Sequence, residues 1–427
     1  MKKLLFVVID GGADTPNPEL GGKTPFEVAK IPNLNNLARL GMNGLLQVLP
    51  IPPESDEAVL ALLGYDVFEI YTGRGPLEAI GGGVPFRDGN LALRCNFATV
   101  ENGEIKDVRA GRISTDEAKE LAKAINEFVS IKNAKSLFQS TTGYRGVLII
   151  ESNSALSPRI SNTHPGYVME YLQMAKEKGV PMSAALVKPD MHFYPCKPLI
   201  PTKEAATAAK LVNEFIEESS MVLEKHPINI ERISKGLKPA NIILTRDAGI
   251  EIPKLFNFSK VYKMNWACLA DMPVERGIGQ LAGMQIIPIP ESTGNAKEDM
   301  YIRAQTVLKN ISFYDAAYIH LKGPDPYAHV GDVQGKIKAI EDIDKYFFGS
   351  LLEWLDLRNT VIVVTCDHTT SCEQKAHTAD PVPLVVVGPN IVPDNVAGFN
   401  ERLCVQGALK RVSAINLMPA LVKLVNR

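Results

Sequence analysis

The chain has 427 residues, of which 45% are hydrophobic, and a formal net charge of −2 at pH 7. This length is enough for two or three domains with a large core. The balanced charge provides no basic surface for nucleic acid or for a membrane, and no apolar run is long enough to span a bilayer. We therefore expect neither nucleic acid nor a membrane as a partner.

The N-terminus and the cysteines both favour a cytoplasmic protein. The opening MKKLLFVVIDGG superficially resembles a signal peptide, but its apolar run from Leu4 to Ile9 ends at Asp10 without a cleavage pattern. A first β-strand is the better interpretation. The six cysteines are scattered and include no Cys-x-x-Cys pair, which is typical of reduced thiols.

Apolar runs typical of buried strands recur along the chain and alternate with helical patterns. This alternation predicts an α/β fold in which a mainly parallel sheet is flanked by helices. The predicted helices include residues 203–224, 298–309 and 333–355. The predicted strands are residues 3–9, 146–150, 241–245, 284–289, 314–321, 360–366 and 383–387.

Residues 86–189 have a different pattern. FRDGNLALRCNFATVENGEIKDVRAG predicts two strands joined by the turn Glu101-Asn102-Gly103, because Asn-Gly between alternating apolar residues favours a hairpin. A helix is predicted to follow at residues 115–128. We expect 86–189 to form a smaller α+β domain, inserted into a metal-binding core made of residues 1–85 and 190–427.

Potential metal ligands follow several strand-like runs, where the carboxyl edge of a parallel sheet would gather them. Each one alone is also compatible with an ordinary turn. Together, their imidazole and carboxylate groups suit two divalent ions. The remaining histidines, including His320 within an apolar strand, are interpreted as ordinary residues. The candidate ligands are Asp10, Asp325, His329, Asp367, His368 and His377.

Ser55 lies where a helix is predicted to begin in IPPESDEAVLALLGYD. Two prolines precede it, Asp56 and Glu57 follow in the first turn, and apolar residues recur to Leu63. One interpretation is a plain N-cap serine. The alternative is a nucleophile, because a helix N-terminus stabilises an alkoxide or a phosphate ester.

In their order along the chain, these residues resemble the alkaline phosphatase superfamily. Within it they are most similar to the archaeal-type cofactor-independent phosphoglycerate mutases, and the resemblance extends over nearly the whole chain. The supporting strings are KTPFEVAKIPNLNNLARLG at 23–41, SDEAVLALLGYD at 55–66, YTGRGPLEAIGGG at 71–83, RCNFATVENG at 94–103, VRAGRIS at 108–114 and DPVPLVVVG at 380–388.

The resemblance implies a two-metal site and a phosphoserine intermediate. Ser55 would accept the phosphoryl group and return it to the other hydroxyl of the glycerate, which interconverts 3-phosphoglycerate and 2-phosphoglycerate in glycolysis or gluconeogenesis. The ions would be Mn²⁺ or Zn²⁺, with Mg²⁺ or Co²⁺ as alternatives, and no 2,3-bisphosphoglycerate would be needed. The implied ligands are Asp325, His329 and His377 for one ion, and Asp10, Ser55, Asp367 and His368 for the other.

The resemblance also implies a set of arginines that bind the substrate, a small phosphorylated hydroxy acid. Arg94, Arg109, Arg112 and Arg246 lie on matching strings, and guanidinium groups pair bidentately with carboxylate or phosphate. Each of them alone could be a solvated surface residue. Closure of the inserted domain would exclude water and so favour a mutase over a phosphatase. Oligomeric state is not predictable from these features.

The sequence departs from the family pattern near the substrate. Glu54 stands where glycine is usual, and Thr369-Thr370-Ser371 replaces the usual Ser-Thr-Pro. ISNTHPGY lacks an intact Asp-Pro-His run, so His164 is not assigned as a substrate ligand. Three alternatives therefore stay open: a phosphatase or phosphodiesterase, a transferase for another small hydroxy acid or amino acid, and a metal-binding or regulatory protein without catalysis.

Overall fold

The structure is a computed structural model that describes residues 2–168, 182, 184–185 and 189–425. It contains two compact units, and each is described by itself below. The first consists of Met1–Val67 and Leu255–Arg427, and the second is Phe68–Lys254. The second unit extends beyond the predicted insert at both ends, and residues 169–181, 183 and 186–188 of that insert lie outside the described residues.

Strands and helices are both abundant in the described residues. Seventeen strands, β1 to β17 in chain order, are Lys3–Ile9, Met42–Gln47, Leu91–Glu101, Glu104–Asp107, Ala134–Ser140, Arg145–Ser152, Tyr167–Val168, Ala184–Ala185, Ile242–Gly249, Trp266–Ala270, Gln285–Ile286, Ala316–Leu321, Thr360–Cys366, Thr369–Ser371, Ala376–Thr378, Val382–Val387 and Lys410–Ser413. The α-helices are Pro25–Val28, Pro32–Leu40, Ser55–Leu62, Val67–Ile70, Arg74–Gly81, Thr115–Phe128, Lys203–Glu224, Pro227–Ser234, Phe258–Tyr262, Pro273–Leu281, Ala296–Asn310, Asp325–Ala328, Val333–Asp342, Gly349–Trp354, Glu401–Cys404 and Ala414–Val425.

The first unit is built on an eight-stranded sheet in the order β11-β10-β12-β1-β13-β16-β2-β17. Five neighbouring pairs are parallel, and only the two pairs that contain β16 are antiparallel. Every residue of β12 and β13 is buried, as expected of central strands in a parallel sheet that is covered by helices. The predicted α/β class is confirmed.

The strand predictions were most accurate where long β-branched runs occur. β1 and β13 have exactly the predicted bounds, whereas β11 is only Gln285–Ile286. The prediction missed β2, whose sequence MNGLLQ is interrupted by Gly44. Close packing favours glycine at this position, because a Cβ atom there would lie only 2.7 Å from the Cβ of Leu409, which precedes β17.

The predicted helix at 333–355 is divided in the structure. Val333–Asp342 and Gly349–Trp354 are α-helical, and a π-helical segment, Ile343–Phe348, connects them. In contrast, the helix Lys203–Glu224 has exactly the predicted bounds. None of the helices in the described residues combines the length and the apolar character that a membrane span requires.

The second unit contains an antiparallel sheet in which β3 is central. β3 pairs with β4, β6 and β9, and β5 pairs with β6. The predicted hairpin is present, and its turn residues Asn102 and Gly103 both have positive φ. Because β9 pairs with β3, the unit includes residues up to Gly249. This pairing is one reason why the unit extends past the boundary predicted at residue 189.

Candidate functional site

All seven residues predicted to bind metal lie in the first unit, and most follow the central strands of its sheet. Asp10 follows β1, and Asp367 and His368 follow β13. Asp325 begins the short helix after β12, and His377 lies in β15. β1 lies between β12 and β13, and all three are parallel, so their carboxyl ends share one edge of the sheet.

Asp325, His329 and His377, the ligands predicted for one ion, lie close together and are called the first donor set below. The Nε2 atoms of the two histidines are 3.1 Å apart. Oδ1 of Asp325 lies 3.3 Å from Nε2 of His377 and 3.4 Å from Nε2 of His329. The Nδ1–H group of His377 donates to the Pro53 carbonyl, and that of His329 donates to the Lys375 carbonyl. Both Nε2 atoms are thereby left to act as ligands.

The spacing of these three atoms fits a divalent ion. Two donors that each lie about 2.1 Å from a tetrahedral ion are roughly 3.4 Å apart. Burial alone would lower the pKa of His377, but the carboxylates of Glu54 and Asp325 and the Pro53 carbonyl raise it to about 10. Without an ion, His377 is therefore protonated at neutral pH. An ion must displace this proton, so acid weakens binding.

Asp10, Ser55, Asp367 and His368, the ligands predicted for the other ion, are called the second donor set below. Ligand atoms of His368 also lie within 4.8 Å of those of Asp325 and His377. Oδ1 of Asp367 accepts hydrogen bonds of 2.9 Å from the backbone N–H groups of Gly11 and His368. Its Oδ2 is buried, receives no hydrogen bond from the described residues, and lies 3.2 Å from Nε2 of His368. That Nε2 atom is also 3.8 Å from Oδ1 of Asp10 and 3.4 Å from Oγ of Ser55.

Ser55 is the first residue of its helix rather than the N-cap. Glu54 occupies the N-cap position, and its backbone N–H donates to the carboxylate of Glu57 at 3.0 Å. The plain N-cap interpretation of Ser55 is therefore wrong. Its hydroxyl instead lies next to His368 of the second donor set, at the positive end of an eight-residue helix, where a developing negative charge on oxygen is stabilised.

His320 belongs to this site, although we interpreted it from the sequence as an ordinary strand residue. It is buried in β12. Its Nε2 atom lies 3.7 Å from Oδ1 of Asp10 and 3.5 Å from Oδ2 of Asp367. Its Nδ1 atom lies 2.8 Å from the hydroxyl of Tyr318. His320 thus faces the two carboxylates of the second donor set from the interior of the sheet.

Lys322, which is partly buried, forms an ion pair with the buried Glu275, and the sequence reasoning also missed this pair. Nζ of Lys322 lies 2.7 Å from Oε1 of Glu275 and 3.2 Å from Oδ1 of Asp10. Burial would lower the pKa of Lys322, but the carboxylates of Asp10, Glu275 and Asp367 raise it above its usual value. Lys322 is therefore a fixed cation beside the second donor set. Its position directly after β12 and two residues after His320 was the available signal, because residues two apart along an extended chain face the same side.

The second unit contains a buried cluster of arginines. Arg94 and Arg246 are paired in register on β3 and β9, and Arg74 is buried with them. Oε1 of Glu78 lies 2.9 Å from Nε of Arg74 and 3.4 Å from Nε of Arg94. Oδ2 of Asp247 lies 3.5 Å from Nε of Arg246. Burial and then the charges of Arg246 and Arg74 lower the pKa of Arg94 to about 10, so it stays cationic at neutral pH.

His164 lies against this arginine cluster. It is buried, and burial together with the charges of Arg246, Arg94 and Arg109 holds its pKa well below the usual value. The side chain is therefore neutral at pH 7. The guanidinium of Arg246 stacks on the ring of Tyr167, with 3.4 Å between Cζ and the ring centroid. This contact is a cation–π interaction, which helps to hold the guanidinium of Arg246 in place.

The four predicted substrate arginines have different environments. Arg94 and Arg246 are buried in the cluster. Arg109 is half-buried, and its charge helps to lower the pKa of His164. Arg112 is exposed, on a turn where its φ is 57°. It therefore lies outside the buried cluster. The sequence prediction did not include Arg74, although it lies in the string YTGRGPLEAIGGG at 71–83, which resembles the family.

Comparisons with known proteins identify the family of the chain. Residues 38–229 match the family model described as 2,3-bisphosphoglycerate-independent phosphoglycerate mutase. Curated relatives of that name from Methanocaldococcus jannaschii and Ignicoccus hospitalis are 38% and 39% identical, and in each alignment 100% of this chain and 98% of the relative are covered.

Two solved structures are also similar to this chain over its full length. A cofactor-independent phosphoglycerate mutase from Thermoplasma acidophilum is 28% identical with a TM-score of 0.59, and 100% of both chains is covered. A protein from Pyrococcus horikoshii is 28% identical with a TM-score of 0.77, and 100% of this chain and 97% of that chain are covered. The chain belongs to the family of 2,3-bisphosphoglycerate-independent phosphoglycerate mutases.

Proposed function

We propose that this protein interconverts 3-phosphoglycerate and 2-phosphoglycerate without 2,3-bisphosphoglycerate, in glycolysis or gluconeogenesis. The observation that carries the proposal is the position of Ser55, whose hydroxyl lies 3.4 Å from Nε2 of His368. His368 in turn has ligand atoms of Asp325 and His377 within 4.8 Å, and a second such group is formed by Asp10, His320 and Asp367. The full-length similarity to curated mutases supports this substrate over other phosphate esters.

The two donor sets are proposed to hold two divalent ions. When bound, the ions supply positive charge that stabilises the phosphate and lowers the pKa of a serine hydroxyl. The predicted ligands include three carboxylates, whose negative charge is smaller than the positive charge of two divalent ions. The net positive charge would attract a phosphate dianion. The mixture of imidazole and carboxylate donors supports Mn²⁺ or Zn²⁺, with Co²⁺ or Mg²⁺ as alternatives.

Ser55 is the proposed nucleophile. Its oxygen forms a bond to phosphorus as the bond from phosphorus to the glycerate oxygen breaks, and the serine proton passes to that departing oxygen. The other glycerate hydroxyl then takes the phosphoryl group from the phosphoserine and gives up its proton to Ser55. The positive end of the helix Ser55–Leu62 lies at Ser55 and favours the developing negative charge. Lys322 keeps its positive charge, which helps to balance the acidic side chains around it.

The arginine cluster of the second unit is proposed to bind the anionic substrate. Three buried guanidinium groups share the carboxylates of Glu78 and Asp247, an arrangement that suits an additional carboxylate or phosphate because such anions pair with planar guanidinium groups. Arg94 and Arg246 carry this proposal more strongly than Arg112, which is exposed. Arg109 is proposed as a further contact.

Replacing Arg246 by lysine tests this role, because lysine keeps the charge but loses the bidentate fork. We expect kcat/KM for 3-phosphoglycerate to fall roughly 10- to 100-fold, since a hydrogen bond to a charged group contributes about 1.5–3 kcal/mol. Initial rates measure this, with Arg87→Lys, at an exposed position of the same unit, as the control. An unchanged kcat/KM in Arg246→Lys would contradict the assignment.

The reaction itself is tested by phosphorus NMR of the protein with 3-phosphoglycerate and Mn²⁺. We expect the 2-phosphoglycerate signal to appear without added bisphosphate and to be abolished by EDTA. Free phosphate as the sole product would show a hydrolase instead. No change in the spectrum would contradict both activities and would direct the test to other small hydroxy-acid and amino-acid phosphates.

A cytoplasmic location is also proposed. All six cysteines lie in the described residues as buried free thiols. Reduced thiols are the usual state in the cytoplasm, whereas secreted proteins commonly form disulfides. Detection of the protein in cell fractions would test this proposal.

A further inference from the structure

The hydroxyl of Thr370 lies between the two donor sets. Its Oγ1 atom is 2.9 Å from Oδ1 of Asp325 in the first set and 3.0 Å from Nδ1 of His368 in the second. A hydroxyl has a single proton to donate. Since the carboxylate can only accept, Thr370 donates to Asp325 and accepts from the Nδ1–H group of His368. His368 is thereby held in the tautomer that leaves Nε2 as a ligand.

The backbone of Thr370 is held equally firmly. Its N–H group donates to the carbonyl of Ala13 at 3.1 Å, and its carbonyl accepts from Nζ of Lys336 at 2.7 Å. Lys336 is fully buried and also donates to the carbonyl of Ala13 at 2.8 Å and to Asp14 at 2.9 Å. This lysine therefore joins the loop that follows Asp10 to the strand that follows His368.

Gly11 leaves room for the contact between Thr370 and Asp325. A Cβ atom at this position would lie 2.6 Å from Oγ1 of Thr370 and 2.7 Å from Cβ of Asp325. Gly11 also has a φ of +56°, which favours glycine. Its N–H group meanwhile donates to Asp367 at 2.9 Å. The backbone here contacts both donor sets, and a side chain would separate them.

We propose that Thr370 is a positioning residue that couples the two ion sites, so that loss of its hydroxyl weakens ion binding at both. This inference rests on the proposed function only in that the two donor sets bind divalent ions. The physical reason is the shared hydroxyl, which orients the carboxylate of Asp325 and the imidazole of His368 at once. Groups that orient metal ligands commonly change the metal affinity 10- to 100-fold when they are removed.

The test compares Thr370→Val, which removes the hydroxyl, with Thr370→Ser, which keeps it. Titration calorimetry with Mn²⁺ and elemental analysis of the full chain measure the affinity and the number of ions. We expect Thr370→Val to lose roughly tenfold or more in affinity at each of the two sites. Thr370→Ser should stay within about threefold of the wild type.

The neighbouring Thr369 provides a matched control. It is also buried in β14, and its hydroxyl donates to the Asp380 carbonyl rather than to a predicted ligand. Thr369→Val should therefore keep the wild-type affinity. An equal loss in Thr369→Val and Thr370→Val, or the same loss in Thr370→Ser, would show a general structural effect and overturn the inference. Weakening at a single site in Thr370→Val would also overturn it.

Failure of the proposed function gives a different result. Wild-type protein that binds no divalent ion would overturn both the two-metal proposal and the coupling through Thr370. Wild-type protein that binds two ions and is active, with unchanged affinities in Thr370→Val, would overturn the coupling alone. The melting temperature of each variant without ions shows whether the fold has changed.

Discussion

Replacing Ser55 by alanine should abolish phosphoryl transfer and leave the fold and the ion content of the protein nearly unchanged. The substitution removes the only atom proposed to bond to phosphorus, so we expect kcat to fall at least about 10⁴-fold. The helix should persist, because Glu54 and not Ser55 is the N-cap and alanine is a good helix former. Product formation by phosphorus NMR and elemental analysis measure both outcomes.

A matched control separates the loss of the nucleophile from a general effect of the substitution. Ser312 is an exposed serine in the same unit, and Ser312→Ala should keep full activity. Trapping of the phosphoenzyme after an acid quench gives a second readout. The phosphoserine should be present in the wild type and absent in Ser55→Ala. Activity within tenfold of the wild type in Ser55→Ala would remove Ser55 from the mechanism.

Replacing Asp325 or His377 by alanine should reduce the ion content from two ions per chain to about one. Each variant removes one of three donor atoms that lie 3.1–3.4 Å apart, and two remaining protein ligands do not complete a stable site. Activity should fall with the ion content. Elemental analysis of purified protein, after dialysis against buffer without added metal, measures the occupancy.

The control for these ligand variants is His192→Ala, which removes an exposed histidine that belongs to neither donor set. It should keep the wild-type ion content and activity. Two ions per chain in Asp325→Ala and in His377→Ala would contradict the assignment of the first set. Restoration of activity at high Mn²⁺ in these variants would agree with it, because mass action compensates for weaker binding.

The sequence was sufficient to predict that the candidate ligands lie close together, because their positions follow from simple patterns. Asp10, Asp367 and His368 come directly after long apolar runs, and such runs form central strands whose ends gather at one edge of the sheet. Asp325 and His329 are four residues apart, which brings them to one face of a helical turn. Their closeness needed only local periodicity, whereas their division between two ion sites is implied by the family resemblance and stays a prediction.

His320, Glu275 and Arg74 could not be found in the same way. A histidine in an apolar strand has the same local pattern whether it packs in the core or faces carboxylates from other strands, and the carboxylates near His320 come from residues far away in the sequence. The extent of the second unit depends on the pairing of β3 with β9. Local patterns do not reveal which strands pair.

The discontinuity of the first unit has a consequence for how the protein matures. Its central strand β1 pairs with β12 and β13, which are synthesised more than 300 residues later. The second unit is one continuous segment, Phe68–Lys254, so its strands meet their partners while the ribosome is still translating. We therefore expect the second unit to form first during synthesis, and ion loading to be the last step, after His377 has emerged.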